Sequence, residues 1–164
     1  IILTFLYMLK VGQLSDDQRR INAGIEAERT LYDYLAEIAA KYNLEFRNNV
    51  ELDNKGKKFD VDFLLINRKR RKAVMIECKS FRNILIKENE VISIYPDGET
   101  VFKVQNQVRN TLQHLKRKLF KGYYIYPVMA FPRCIKASGS CPDMFVLLPD
   151  NKEEFEDFLR KNVL

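Results

Sequence analysis

The residues most able to do chemistry are charges embedded in apolar runs. Asp60 and Asp62 interrupt residues 59–66 (FDVDFLLI), and Glu77 and Lys79 interrupt residues 73–80 (AVMIECKS). An ionised carboxylate in a low-dielectric place costs several kcal/mol unless something compensates it. The connection between the runs, RKRRK at residues 68–72, is short enough for them to pair antiparallel and bring Asp62 beside Glu77. Two carboxylates about 4 Å apart repel by roughly 4 kcal/mol at an effective dielectric near 20. A divalent cation removes that penalty, and an all-oxygen ligand set suits Mg²⁺ or Mn²⁺. Lys79 follows Glu77 by two residues, so both leave the same strand face. Beside a metal-bound carboxylate, a lysine can orient or deprotonate an attacking water and stabilise transition-state charge. Glu77 and Lys79 alone would read as a plain ion pair at a strand end; the second strand with its aspartate turns the pattern toward a metal.

These runs need a scaffold. Ser15-Asp16-Asp17 has the form of a helix start, with Ser15 as N-cap and acids in the first turn. From there to residue 42, Ile21, Ile25, Leu31, Leu35, Ile38 and Ala39 recur at helical spacing, with Gly24 a point of weakness, so the firm helix is 25–42. Residues 44–52 read as a strand and 54–56 as a turn. In 59–66, Phe59, Val61, Phe63 and Leu65 alternate with Asp60, Asp62, Leu64 and Ile66; in 73–80, Val74, Ile76 and Cys78 oppose Met75, Glu77 and Lys79. Residues 84–86, 91–95 and 100–102 are short strands or loops, with a turn at 96–98. A second helix over 104–119 carries Val104, Val108, Leu112, Leu115 and Leu119 and ends at Gly122. Strands at 123–131 and 144–148 and a closing helix at 151–161 complete an α/β order, which implies a mixed central sheet flanked by helices.

The chain of 164 residues can bury a real core, and no repeat or Pro/Gly-rich linker marks a second domain. The division expected is an apolar lead-in at 1–20 and a domain at 21–164. Residues 1–11 (IILTFLYMLKV) fall short of the roughly 20 a spanning helix needs. Three readings fit them: a segment packed on the domain, the remnant of a membrane anchor, or a signal remnant. A formal charge of +6 favours a polyanionic partner, nucleic acid or anionic lipid. Three cysteines make no disulfide framework and a lone His leaves zinc poorly supplied, so a reducing, cytoplasmic setting is expected, with membrane association left open.

The run Asp62-Phe63-Leu64-Leu65-Ile66, a charged turn, then Val74-Met75-Ile76-Glu77-Cys78-Lys79 resembles the core of PD-(D/E)xK nucleases, and more closely the nuclease-related domain (NERD) family among them. Ala27-Glu28, followed by Leu31 and Leu35, is similar to that family's opening helix; Gln107, or alternatively Gln105, matches its later helical Gln. The likeness runs from about Gly24 to the C-terminus. Two departures stand out: Cys78 replaces the usual β-branched residue, and Lys103-Val104 stand where Asn-Pro is common. The resemblance implies a restriction-endonuclease-like fold. It also implies that Asp62, or Asp60 in its place, holds the metal with Glu77 and the Cys78 carbonyl. Lys79 would position the water, Glu28 would bind metal through water or orient Lys79, and Gln107 would steady Lys79 or a phosphate.

Arg68, Lys69, Arg70, Arg71 and Lys72 either grip phosphates or form a solvated hairpin tip. Tyr123, Tyr124 and Tyr126 read as strand packing before base stacking, and His114 as a surface residue. The leading expectation is a metal-dependent nuclease acting on DNA, with RNA open. The second is a non-catalytic domain of the same fold that binds nucleic acid or protein, at a membrane or away from one.

Overall fold

A computed structural model describes residues 16–54, 56–87, 90–94, 101–103, 105–141 and 143–164. The expectations for the apolar segment 1–11, for Ser15 as a cap and for the 96–98 turn lie outside those residues. The elements run α1 (Asp16–Tyr42), β1 (Glu45–Asn54), β2 (Lys57–Asn67), β3 (Lys72–Cys78), β4 (Asn83–Lys87), β5 (Glu90–Ile94), β6 (Val101–Lys103), α2 (Gln105–Lys118), β7 (Tyr124–Ala130), β8 (Lys136–Ser138), β9 (Phe145–Leu147) and α3 (Lys152–Asn162).

Five strands form the main sheet in the order β1-β2-β3-β7-β9. The first three are antiparallel neighbours, whereas β3–β7 and β7–β9 are parallel. The crossover from β3 to β7 carries α2, as a parallel connection requires. Strands β6-β5-β4-β8 make a second, smaller sheet. The architecture is α/β, a mixed sheet flanked by helices, consistent with the restriction-endonuclease-like fold.

Two apolar clusters hold the layers together. On one face, Ala27, Leu31, Leu35 and Ile38 of α1 and Phe155 and Leu159 of α3 pack on Phe63, Leu65, Val74, Ile76 and Val128. On the other, Val108 and Leu115 of α2 pack on Leu64, Ile66, Ala73, Met75 and Met129. Strands β2 and β3 therefore contribute alternate residues to both clusters, which is why they read as nearly continuous apolar runs. The ends of α1 and α3 are laced by Lys41, Glu156, Tyr42 and Arg160: Lys41 Nζ lies 2.6 Å from Glu156 and Arg160 donates to the Tyr42 hydroxyl at 2.7 Å.

Several sequence expectations need correction. Helix α1 starts at Asp16 and continues through Gly24, around which there is open space. Its buried apolar stripe begins only at Ala27: Ile21 is 55% and Ile25 61% exposed, since among the described residues the first turns of α1 meet no packed layer. The alternation in β2 also slips. Val61 packs in the second cluster with Leu52 and Val50, while Phe63 and Leu65 pack in the first. The change of side falls where Asn49 of β1, at φ 49°, stands opposite Asp62 and the ladder is interrupted. In α2, Leu119 lies past the helix end and is 47% exposed. The segment between Cys134 and Cys141 contains β8, whose three residues are too few and too polar to announce a strand. Among the described residues no helix is long and apolar enough to cross a membrane.

The contrast within α1 is measurable. Leu35→Ala, at a fully buried position, should cost about 2–5 kcal/mol in urea unfolding, whereas Ile25→Ala should stay within about 0.5 kcal/mol.

Candidate active site

Pairing between β2 and β3 runs from Asn67↔Lys72 to Phe63↔Ile76 and stops there. The next rung would set Asp62 against Glu77. Like charges directly opposite on a ladder are destabilising, and the strands part at this rung. Asp62 Oδ2 instead accepts the Cys78 N–H at 2.7 Å, capping the open ladder. On its other side β3 stays bound to β7, and the Lys79 N–H donates to the Ala130 carbonyl at 2.9 Å, one rung beyond the end of β3. Lys79 is thus held in extended register, and its Nζ donates to Glu77 Oε1 at 2.8 Å. Glu77 is only 3% exposed. A cleft of about 520 Å³ opens above this rung, lined by Lys58, Asp60, Asp62, Glu77, Lys79, Asn110 and Thr111.

Burial pushes the carboxyl of Asp62 above the usual carboxylate range, against the lowering pull of the Cys78 N–H and Lys79. Burial also raises Glu77, and the Asp62 charge raises it further. Glu28, on α1, is raised by burial and then by Asp62, with Lys79 opposing; it therefore belongs to the same electrostatic group. The Cys78 thiol, in the first apolar cluster, is pushed well up by burial and is inert as a nucleophile at neutral pH.

A buried carboxylate (Glu77) and a half-buried one (Asp62), mutually repelling and with raised proton affinity, are a donor set that a hard cation suits. Among the described residues no three His, Cys, Asp or Glu side chains close into a ready-made metal cage. A pair of carboxylates is a donor set of the kind Mg²⁺ takes, completed by waters and substrate oxygens.

The fold brings Asp62, Glu77 and Lys79 together, with Glu28 within their field. Between the two aspartates first weighed, Asp62 is the one bonded into the rung, while Asp60 is exposed on the cleft wall. Gln107 and Gln105 sit on the first turn of α2, and their side chains lie outside the described residues. Residues 68–72 are not at this site: they turn the chain at the opposite end of β2, about 17 Å along the strand from Asp62. Of these, Arg68 is held by Glu45 at 2.6 Å, and Lys72 Nζ donates to the Asn162 carbonyl at 2.6 Å. Sequence reasoning missed Lys58, Asn110 and Thr111. The last two lie three and four residues after Gln107, hence on the helix face it occupies; that spacing was the available signal.

A family model, the nuclease-related domain, matches residues 23–132. The chain belongs to the NERD family. The NERD match takes in Glu28, Asp62, Glu77, Lys79 and Gln107, and ends at residue 132, short of β9 and α3. No curated protein sequence matches the chain.

The raised carboxyls have a consequence for stability. Below about pH 4 both are largely protonated whether the chain is folded or not, and they cost little. As pH rises through their raised folded-state values, the unfolded chain has already released its protons while the folded chain must bury charge, so stability falls. In EDTA, Glu77→Gln and Asp62→Asn should therefore melt above the wild type at pH 7–8, by about 2–4 °C for each kcal/mol relieved. The gap should shrink toward pH 4 in a thermal unfolding series; amide variants that melt below the wild type throughout would contradict it.

Proposed function

We propose that this NERD domain is a metal-dependent nuclease that hydrolyses phosphodiester bonds of DNA. The observation that carries the reading is the open rung itself, where Asp62 and Glu77 face one another beside Lys79 at the floor of an open cleft. A binding module gains nothing from burying like charges together; a cation site requires it.

On this reading Asp62 and Glu77 hold Mg²⁺ or Mn²⁺, with the Cys78 carbonyl as a further oxygen donor. The bound ion would supply Lewis acidity toward a nonbridging phosphate oxygen and the leaving group. The Lys79 ammonium, fixed by Glu77 at 2.8 Å, orients the attacking water and offsets negative charge gathering on the phosphate oxygens. Glu28 orients Lys79 from α1, consistent with the mutual influence of Glu28, Asp62 and Lys79. Gln107 steadies Lys79 or a phosphate from α2. The positive balance of the chain draws polyanions toward the cleft.

Incubation of the chain with plasmid and single-stranded DNA in Mg²⁺ or Mn²⁺ should give cleavage. Asp62→Ala and Glu77→Ala should reduce it to background, and Glu77→Ala should abolish the Mn²⁺ binding isotherm in calorimetry. Lys79→Met should keep the isotherm while slowing cleavage by about 10²-fold or more. If the intact chain binds DNA and never cuts it, the domain is a non-catalytic binder of the same fold; if both alanine variants stay active, the chemistry lies elsewhere.

A further inference from the structure

Beyond the rung, β1 and β2 continue as a pair, with no third strand among the described residues. Their pairing extends from Asn48↔Phe63 through Val50↔Val61 to Asn54↔Lys57, so residues 57–62 belong to a two-stranded ribbon that projects past the end of β3. Within it Lys58, Asp60 and Asp62 share parity and line the cleft. Lys58 stands about 13 Å along the strand from Asp62. It pairs with Glu51, 3.6 Å away on the neighbouring strand, with both side chains largely in solvent. An exposed pair of this kind contributes little and is easily exchanged. Across the cleft, Asn110 and Thr111 present an amide and a hydroxyl from α2. Asn110 is exposed, whereas Thr111 is buried yet still borders the opening.

The floor is acidic, so a phosphodiester strand that reaches it has to be held from the walls. We propose that Lys58, with Asn110 facing it from α2, forms a phosphate-binding subsite for the nucleic-acid backbone, one or two phosphates removed from the one above Asp62 and Glu77. The proposal rests on the nuclease reading for the direction of the strand, but the subsite itself is a matter of binding. Lys58 supplies a mobile ammonium that leaves Glu51 for a phosphate oxygen. Asn110 supplies neutral N–H donors, which position without adding salt dependence. The ribbon rather than the 68–72 tip becomes the wall that holds substrate, because it alone of the two adjoins the cleft.

The test is fluorescence anisotropy with labelled single-stranded and duplex oligonucleotides, over a salt series with Ca²⁺ as the divalent ion, using the intact chain. Lys58→Met keeps the apolar stem and removes the charge. It should weaken Kd about five- to tenfold and lower the slope of log Kd against log salt by about 0.7–0.9, the signature of one lost phosphate contact. Asn110→Ala should weaken Kd about threefold and leave the slope unchanged, as expected of an uncharged contact. Thermal unfolding of both variants should match the wild type, since both positions are exposed. An unchanged Kd and slope in Lys58→Met, or a loss that appears instead in Lys69→Ala/Arg70→Ala at the far end of the sheet, overturns the subsite. A chain that binds through Lys58 and never cleaves removes the nuclease reading and leaves the subsite standing; cleavage with Lys58-independent binding does the reverse.

Discussion

Everything in this domain is arranged around a rung that cannot close. Asp62 and Glu77 occupy facing positions on β2 and β3, and no antiparallel ladder pairs two carboxylates comfortably. The strands respond by parting after Phe63↔Ile76. The backbone donor exposed by that parting, the Cys78 N–H, is taken by Asp62 at 2.7 Å, so the open end does not leave a buried N–H unsatisfied. What cannot be satisfied by the backbone is the excess negative charge. Lys79 offsets part of it, and both carboxyls still sit above their usual range. A fold that keeps such a rung retains a local instability that elsewhere would be replaced by apolar side chains.

The surrounding elements make sense as the means of holding that rung open. Strand β3 is fixed on its far side by the parallel strand β7, whose Ala130 carbonyl takes the Lys79 N–H and carries the extended backbone beyond the last residue of β3. Helix α1 is anchored by Ala27, Leu31, Leu35 and Ile38 on one face of the sheet, and Glu28, next to Ala27, is thereby delivered toward the carboxylates without being part of the core. Helix α2 is anchored on the opposite face by Val108 and Leu115, and the residues between them close the cleft. Core and site are thus built from adjacent residues on the same helices. A packing defect in either helix would move a cleft residue.

Much of this was legible in the sequence. The alternation in residues 73–80 placed Glu77 and Lys79 on the face of Met75, and the clusters agree: Val74, Ile76 and Cys78 lie in one and Met75 in the other. The short charged turn between the runs predicted antiparallel neighbours, and the register makes Asp62 the residue facing Glu77. The misreadings share a cause. Hydrophobic periodicity reports burial only where an element meets a neighbour, and Ile21 and Ile25 extended the pattern of α1 into turns where both side chains are more than half exposed. The same periodicity assumes an unbroken ladder, and next to the interruption at Asn49 Val61 packs in the other cluster. The helical spacing from Gln107 was the one signal for Asn110 and Thr111; that they share a cleft with Lys58 comes from the tertiary approach of ribbon to α2.

Charge at two ranges explains how a basic chain can carry an acidic floor. Over the whole sequence Lys and Arg exceed Asp and Glu, for a formal +6, a surplus that acts over roughly a Debye length, about 8–10 Å in physiological salt. Within the cleft the ionisable lining is Lys58 and Lys79 against Asp60, Asp62 and Glu77, a local excess of one negative charge. A polyanion steered by the surplus is therefore repelled at the last few ångströms unless positive charge is added on the floor. Two added charges convert the lining from net repulsive to net attractive, and a divalent ion is the smallest common addition that does so. On the proposed nuclease reading one ion would serve twice, offsetting the excess charge of the carboxylates and admitting a phosphate, and the acidity of the floor would make entry depend on the metal.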